Sequence, residues 1–188
     1  MSERQDLVTL AQLVPEGSRV LDLGCGSGEL LAYLKRERGC SGYGIELDDD
    51  KVLAATKRGV EVIQLNLEEG LALFDDASFD VVLQLDTLQH LRNTAHMLRE
   101  TARVGRIGIV SFPNFAHWPN RVRVATGRMP VTRALPYEWY DTPNIRVGTF
   151  ADFEVLARKS GLTVTDSFGL QDGQVVRRWP NLRASVAG

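Results

Sequence analysis

Apolar runs of strand length recur along the first two thirds of the chain, separated by segments whose apolar residues repeat at helical spacing. Arg19-Val20-Leu21-Asp22-Leu23 reads as a buried strand, followed by Leu30, Leu31 and Leu34 on one helical face, with Gly39 as the stop signal. Tyr43 to Leu47 predicts a second strand. Asp48 then serves as N-cap for a helix carrying Val52, Leu53 and Ala55. Val60 to Leu65, Phe79 to Leu85 and Ile107 to Phe112 predict three further strands, with a helix over Thr94 to Ala102 before the fifth. Thr149, with Asp152 three residues on, marks a capped helix running to about Lys159. Leu162 to Phe168 and Leu182 to Ala187 complete the pattern as two final strands. Strands alternating with helices of this length form βαβ units and a parallel sheet. Right-handed crossovers set the ligand crevice of such a sheet at the carboxyl ends of its strands.

The alternation stops after the fifth strand. Residues 113 to 143 hold five of the seven prolines together with Trp118, Tyr137, Trp139 and Tyr140. This composition predicts an ordered excursion over about 113–148, within a single domain spanning 1–188, and not a flexible linker.

The 188 residues, 44% apolar and 24% charged, are ordinary for a soluble globular chain. With 22 Lys+Arg against 24 Asp+Glu, the net charge is −2, which gives no reason to expect nucleic acid as partner. Cys25 and Cys40 are the two cysteines, and free thiols in a reduced cytoplasm are expected for both. The charged first stretch, Met1 to Leu13, does not resemble a signal peptide, and no apolar run reaches the length of a membrane span. The histidines and cysteines lack ligand-like spacing, so no metal site is expected.

The chemistry concentrates between the first strand and the first helix. Gly24, Gly26 and Gly28 follow a strand and open a helix, where glycine lets the backbone turn sharply and approach a ligand. A dinucleotide loop, G-x-G-x-x-G, needs glycine at position 29, but that position is Glu29, an unfavourable neighbour for pyrophosphate. A plain tight turn is the simplest alternative. The run Asp22-Leu23-Gly24-Cys25-Gly26-Ser27-Gly28 instead resembles motif I of the class I methyltransferases. That resemblance implies a Rossmann-like fold, with a mostly parallel seven-stranded sheet and helices on both faces. It also implies S-adenosylmethionine, or S-adenosylhomocysteine, as ligand, with Asp22 orienting the amino-acid end.

Further residues fall in order behind the loop. Glu46, 22 residues after Gly24 at the end of the second strand, is suited to take both ribose hydroxyls. Asp48 is close enough to substitute, although a helix cap suits it better. Asn66 follows the third strand, as adenine acceptor or plain turn residue. Gln84, near the carboxyl end of the fourth strand, is expected to face the methyl-donor end of the pocket, while Asp80 is structural. Cys25 needs only to be small. No catalytic residue is assigned. Asp86, His90, His117, Tyr137 and Tyr140 are the candidates for a general base, and His96 has no expected role.

The second half narrows the resemblance. Arg103-Val104-Gly105-Arg106, Ser111-Phe112-Pro113-Asn114-Phe115-Ala116-His117-Trp118 and Gly127-Arg128-Met129-Pro130 form one series. Leu135-Pro136-Tyr137-Glu138-Trp139-Tyr140-Asp141-Thr142-Pro143-Asn144-Ile145 and Trp179-Pro180-Asn181-Leu182 extend it. With the N-terminal half, these motifs resemble the MetW family of bacterial methionine biosynthesis proteins across nearly the whole chain. The resemblance implies a methyltransferase-like protein acting with homoserine O-acyltransferase as partner or regulator. A methyltransferase with a small acceptor remains the alternative. Six arginines and no acid lie between Thr101 and Tyr137, so the excursion is expected to receive either an acidic acceptor or the partner, or else to be a solvated basic face.

Overall fold

The computed structural model describes residues 2–171 and 174–188. Its strands are β1 (Arg19–Leu23), β2 (Ser41–Glu46), β3 (Val62–Gln64), β4 (Phe79–Leu85), β5 (Gly105–Pro113), β6 (Gly169–Gln171), β7 (Gln174–Val176) and β8 (Val186–Ala187). Its helices are α1 (Ser2–Leu13), α2 (Glu29–Arg38), α3 (Asp49–Lys57), α4 (Thr94–Val104), α5 (Trp118–Ala125), α6 (Phe150–Lys159) and α7 (Pro180–Arg183). The strands form one sheet in the order β3-β2-β1-β4-β5-β8-β6-β7, parallel through the first five and antiparallel thereafter. The chain winds outward from β1 to β3, then returns to lay β4 against the other side of β1. The crevice opened by that reversal is where such folds hold ligands.

Alternation along the strands divides the core between the two faces. Val20, Val81 and Leu83 pack with Ala11, Leu30, Leu34 and Ala55 beneath α1 to α3. Leu21, Leu23, Phe79 and Val82 pack with Met97, Leu98 and Val104 beneath α4. Three sequence-predicted boundaries have local causes. Gly39 adopts a left-handed φ of 62° and ends α2. Asp48 accepts from the Lys51 amide at 3.0 Å, and Thr149 from the Asp152 amide at 3.2 Å.

The C-terminal part departs from the expected seven strands. Residues 162–168, expected as a strand, run without ladder partners up to Phe168, which exchanges backbone hydrogen bonds of 2.9 Å with Gly188. The ladder instead begins at Gly169 and pairs β6 with β7, giving eight strands. Leu182 to Ala187 is not one strand either. Pro180 starts the short helix α7, and only Val186–Ala187 joins the sheet. Apolar alternation marked both segments as extended, but pairing depends on which neighbour is in reach. Because β8 pairs with β5 only at Phe112 and Pro113, the outer edge of β5 before Phe112 borders an open groove of about 500 Å³. Helix α1, for which the sequence pattern gave no signal, contributes Ala11 to the core without a strong apolar stripe.

Asn114 forms a parallel bridge with Gly148, closing the base of the excursion. On its return the excursion crosses the exit of β4, where the Ile145 and Arg146 amides donate to the Gln89 carbonyl at 2.9 and 3.0 Å. Among the described residues, no helix is long and apolar enough to cross a membrane.

Phe79 is 1% exposed, meets Tyr43 and Phe74 edge to face, and carries the Arg19 guanidinium over its ring. Phe79→Ala is expected to lower stability in urea by about 3–5 kcal/mol, the usual cost of emptying an aromatic core site. A loss below about 1 kcal/mol would show that this cluster does not hold the sheet together.

Candidate functional site

The loop between β1 and α2 is fastened to β2 by its own backbone. The Gly24 and Cys25 amides both donate to the Ile45 carbonyl, at 2.8 and 2.9 Å. Gly24, Gly26 and Gly28 all have left-handed backbones, with φ of 79°, 55° and 75°. Packing decides two of the three. A Cβ on Gly24 would lie 2.8 Å from Thr87 Oγ1, and one on Gly28 would lie 2.9 Å from the Ala55 Cβ. At Gly26 a Cβ would meet nothing within 4 Å, so the loop turns an open face outward there. Thr87, which sequence reasoning missed, donates its hydroxyl to the Leu23 carbonyl at 2.7 Å and links the exit of β4 to the loop. No periodicity marks such a residue, because its role exists only once β1 and β4 are side by side.

Glu46 ends β2 and closes the other wall. Its Oε2 accepts from the Gly26 amide at 2.9 Å, and its Oε1 from the Leu47 and Asp48 amides at 2.8 and 3.1 Å. Asp22, at the top of β1, is 4% exposed, and its carboxylate meets no hydrogen-bond donor among the described residues. Burial, then the neighbouring Glu46 charge, pushes its carboxyl up to about 7. Burial and the same two acids push the Cys25 thiol up to about 12, so the thiol stays protonated and unreactive. Cys25 packs closely on Gly44, where a Cβ would lie 2.8 Å from its own. Glu29, which breaks the dinucleotide spacing, pairs with Arg58 at 3.1 Å on the surface.

Two predicted residues are used elsewhere. Gln84 is fully buried, and its amide nitrogen donates to the Thr101 hydroxyl of α4. It shares the strand face of Val82, beneath α4, and so turns away from the crevice; its Oε1 has no partner among the described residues. Asn66 uses its carbonyl oxygen to cap the turn Leu67–Glu69, accepting from the Glu68 amide at 3.0 Å. Asp80 is structural, as expected, accepting from the Arg19 amide at 2.9 Å and pairing with Arg106 at 3.4 Å.

A cavity of about 580 Å³ brings Asp86, His90 and Tyr137 together with Lys51 and Arg133. His117 and Tyr140 do not line it. Asp86 leaves β4 with a left-handed φ of 50°, a strained backbone of the kind found at ligand sites. His90 Nδ1 lies 3.1 Å from the Pro143 carbonyl, which only accepts, so that nitrogen carries a proton, and in the neutral form of the ring the lone pair is on Nε2.

Two substitutions test this geometry. The folded state holds the Asp22 proton up to about pH 7, whereas an unfolded chain releases it near pH 4, so wild-type stability falls as pH rises between those values. Asp22→Asn removes that dependence. Its stability relative to wild type should rise by about 1.4 kcal/mol per pH unit between about pH 5 and pH 7 in urea titrations, then level off. A difference independent of pH would contradict a buried, uncompensated carboxyl. Gln84→Met, removing an amide whose oxygen has no partner, should leave ligand binding at the loop within about threefold and change stability by less than about 1.5 kcal/mol. A tenfold loss of binding would return Gln84 to the site.

Comparisons with known proteins give the chain its fold and family. The bifunctional methionine biosynthesis protein MetXA/MetW of Rhodopirellula baltica is 36% identical over 196 residues, covering 97% of this chain and 32% of that protein. This chain therefore spans about a third of that relative's length. The 2-methyl-6-phytyl-1,4-hydroquinone methyltransferase of Synechocystis is 30% identical over 169 residues, covering 86% of this chain and 49% of the relative. An S-adenosylmethionine-dependent methyltransferase from Thermotoga maritima superposes with a TM-score of 0.72 at 20% identity, over 98% of this chain and 86% of its own. One from Archaeoglobus fulgidus gives 0.69 at 17% identity, over 91% and 73%. These likenesses establish the Rossmann-like α/β fold of the methyltransferases. A family model described as methionine biosynthesis protein MetW matches residues 4–187, and the chain belongs to that family.

Proposed function

We propose that this chain binds S-adenosylmethionine or S-adenosylhomocysteine at the β1–α2 loop and acts with homoserine O-acyltransferase as partner or regulator. The observation that carries the ligand is the pair of carboxylates at the crevice. Asp22 is buried beside Glu46, and burial and Glu46, with no neighbouring cation, set its titration. A pyrophosphate would meet repulsion there, whereas an ammonium or sulfonium would be attracted. When bound, S-adenosylmethionine supplies an activated methyl group. The chain's own residues do the holding: Asp22 takes the ammonium, Glu46 the ribose hydroxyls, and the turn through Gly24, Cys25, Gly26 and Gly28 admits the ligand without a side chain in the way. Glu46 uses three of about four acceptor positions on the backbone, so one stays open to a hydroxyl while the loop keeps its shape.

The partner is supported by the bifunctional relative, whose name joins MetXA to MetW in one protein. Two free thiols and a biosynthetic family support action in a reducing cytoplasm. S-adenosylmethionine is made from methionine, so its binding here would report end product to an early step. Such a signal requires the ligand to favour one state of the complex over another. A second reading, methyl transfer to a small acceptor, is favoured by one feature. His90 lines the cavity beside Asp86 and Lys51, and with Nδ1 given to the Pro143 carbonyl its Nε2 is the nitrogen that would take an acceptor's proton.

Calorimetry with S-adenosylmethionine, S-adenosylhomocysteine and NAD tests the ligand. Glu46→Ala should weaken the first two by about tenfold or more, equivalent to about 1.4 kcal/mol, and Gly26→Arg should abolish both. NAD is expected not to bind. Tight NAD binding, or adenosyl ligands that bind Gly26→Arg unchanged, would overturn the assignment.

A further inference from the structure

Helix α5 is built unlike the rest of the surface. Every residue from Arg121 to Met129 is exposed, and Asn120 is the buried residue of the helix. An eight-residue helix is marginal in water without tertiary packing. This one is pinned at its N-terminal end, by Asn120 Nδ2 donating to the Asn114 carbonyl at 3.2 Å and Arg121 Nε to the Ala116 carbonyl at 2.6 Å. Beyond that point it projects from the fold. Its exposed residues are not those of a solvated face: Trp118, Val122, Val124 and Met129 are 56%, 53%, 47% and 51% exposed. Trp118 and Val122 stand four residues apart and share one side of the helix.

The charges along this stretch of chain are of one sign. Of the six arginines between Thr101 and Tyr137, Arg103 is spent on Glu100 and Asp76, Arg106 on Asp80, and Arg121 on a carbonyl. Arg123 and Arg128 have guanidinium groups with no hydrogen-bond or ion-pair partner among the described residues, and no acid lies anywhere in that stretch. Tryptophan, methionine and arginine together are the composition of interface centres, not of solvated surfaces.

We propose that α5 and the turn to Met129 form a docking face for a partner protein that offers an apolar groove rimmed by carboxylates. Trp118 and Val122 enter the groove, and Arg123 and Arg128 meet the rim. Resting on the functional reading above, that partner is the acyltransferase, which engages the excursion and leaves the ligand loop accessible. Docking here would also connect the two sites, because the excursion returns across the exit of β4 onto the Gln89 carbonyl.

The test pairs the full chain with purified homoserine O-acyltransferase and compares wild type with the triple variant Val122→Asp, Arg123→Glu, Arg128→Glu. The variant should bind the acyltransferase at least about thirtyfold more weakly, and wild-type affinity should fall several-fold between low and high salt. Its S-adenosylhomocysteine affinity and melting temperature should match wild type, showing that the fold and the ligand site are intact. Equal binding by wild type and variant would overturn this docking face while leaving the partner reading in place. Failure of the wild type itself to bind would overturn both. Capture of wild type but not the variant by phosphatidylserine vesicles, with no acyltransferase binding, would assign the face to a membrane surface and overturn the proposal.

Discussion

Two carboxylates held side by side without a cation govern the shape of this site. Asp22, one residue before the end of β1, and Glu46, which ends β2, are carried on adjacent parallel strands, whose register pairs Asp22 with Gly44 and Leu23 with Ile45. Glu46 is satisfied by three amides, one of them Gly26 across the crevice. Asp22 has no such relief, and its proton is held to about pH 7 as a result. A fold under selection for stability alone would replace that acid or give it a partner. Retaining it is the kind of local cost that functional sites carry, with the surrounding core supplying the difference.

Much of this arrangement could be read from the sequence because it rests on short-range rules. The βαβ alternation, the caps at Asp48 and Thr149, the stop at Gly39 and the position of Glu46 at a strand end all follow from residue type and spacing. What could not be read depends on the third dimension. Gln84 lies one residue before the end of β4 and therefore near the crevice in sequence, but strand alternation turns it beneath α4 to Thr101. Asn66 has the right chemistry for a ligand and uses it on its own backbone. Thr87 explains why Gly24 must be glycine, yet Thr87 and the Leu23 carbonyl it bonds lie 64 positions apart and meet only through sheet assembly. The last strands failed for a related reason: apolar alternation predicts extension, not partners.

The two halves of the chain divide the work. The N-terminal half builds the sheet reversal and the glycine loop of the candidate site. The second half carries the excursion and its exposed helix α5. Arginines that look alike in sequence differ in use: Arg103 ties α4 to the Phe74 and Leu71 carbonyls and to Asp76, whereas Arg123 and Arg128 face solvent. A patch of charge counted along the chain is therefore a poor guide to the charge a partner meets. The excursion is anchored to the exit of β4 by the Ile145 and Arg146 amides on the Gln89 carbonyl, so its outer surface and the crevice share one connected piece of backbone.

The proposed ligand site rests on the uncompensated carboxyl of Asp22. Binding of S-adenosylmethionine measured calorimetrically at about pH 7, in two buffers of different ionisation enthalpy, tests it most directly. A ligand ammonium beside Asp22 would draw its carboxyl back down, so binding should release about half a proton per site at that pH, and the Asp22→Asn variant should release none. Binding with no proton release from the wild-type chain, or equal release from both, would contradict the account.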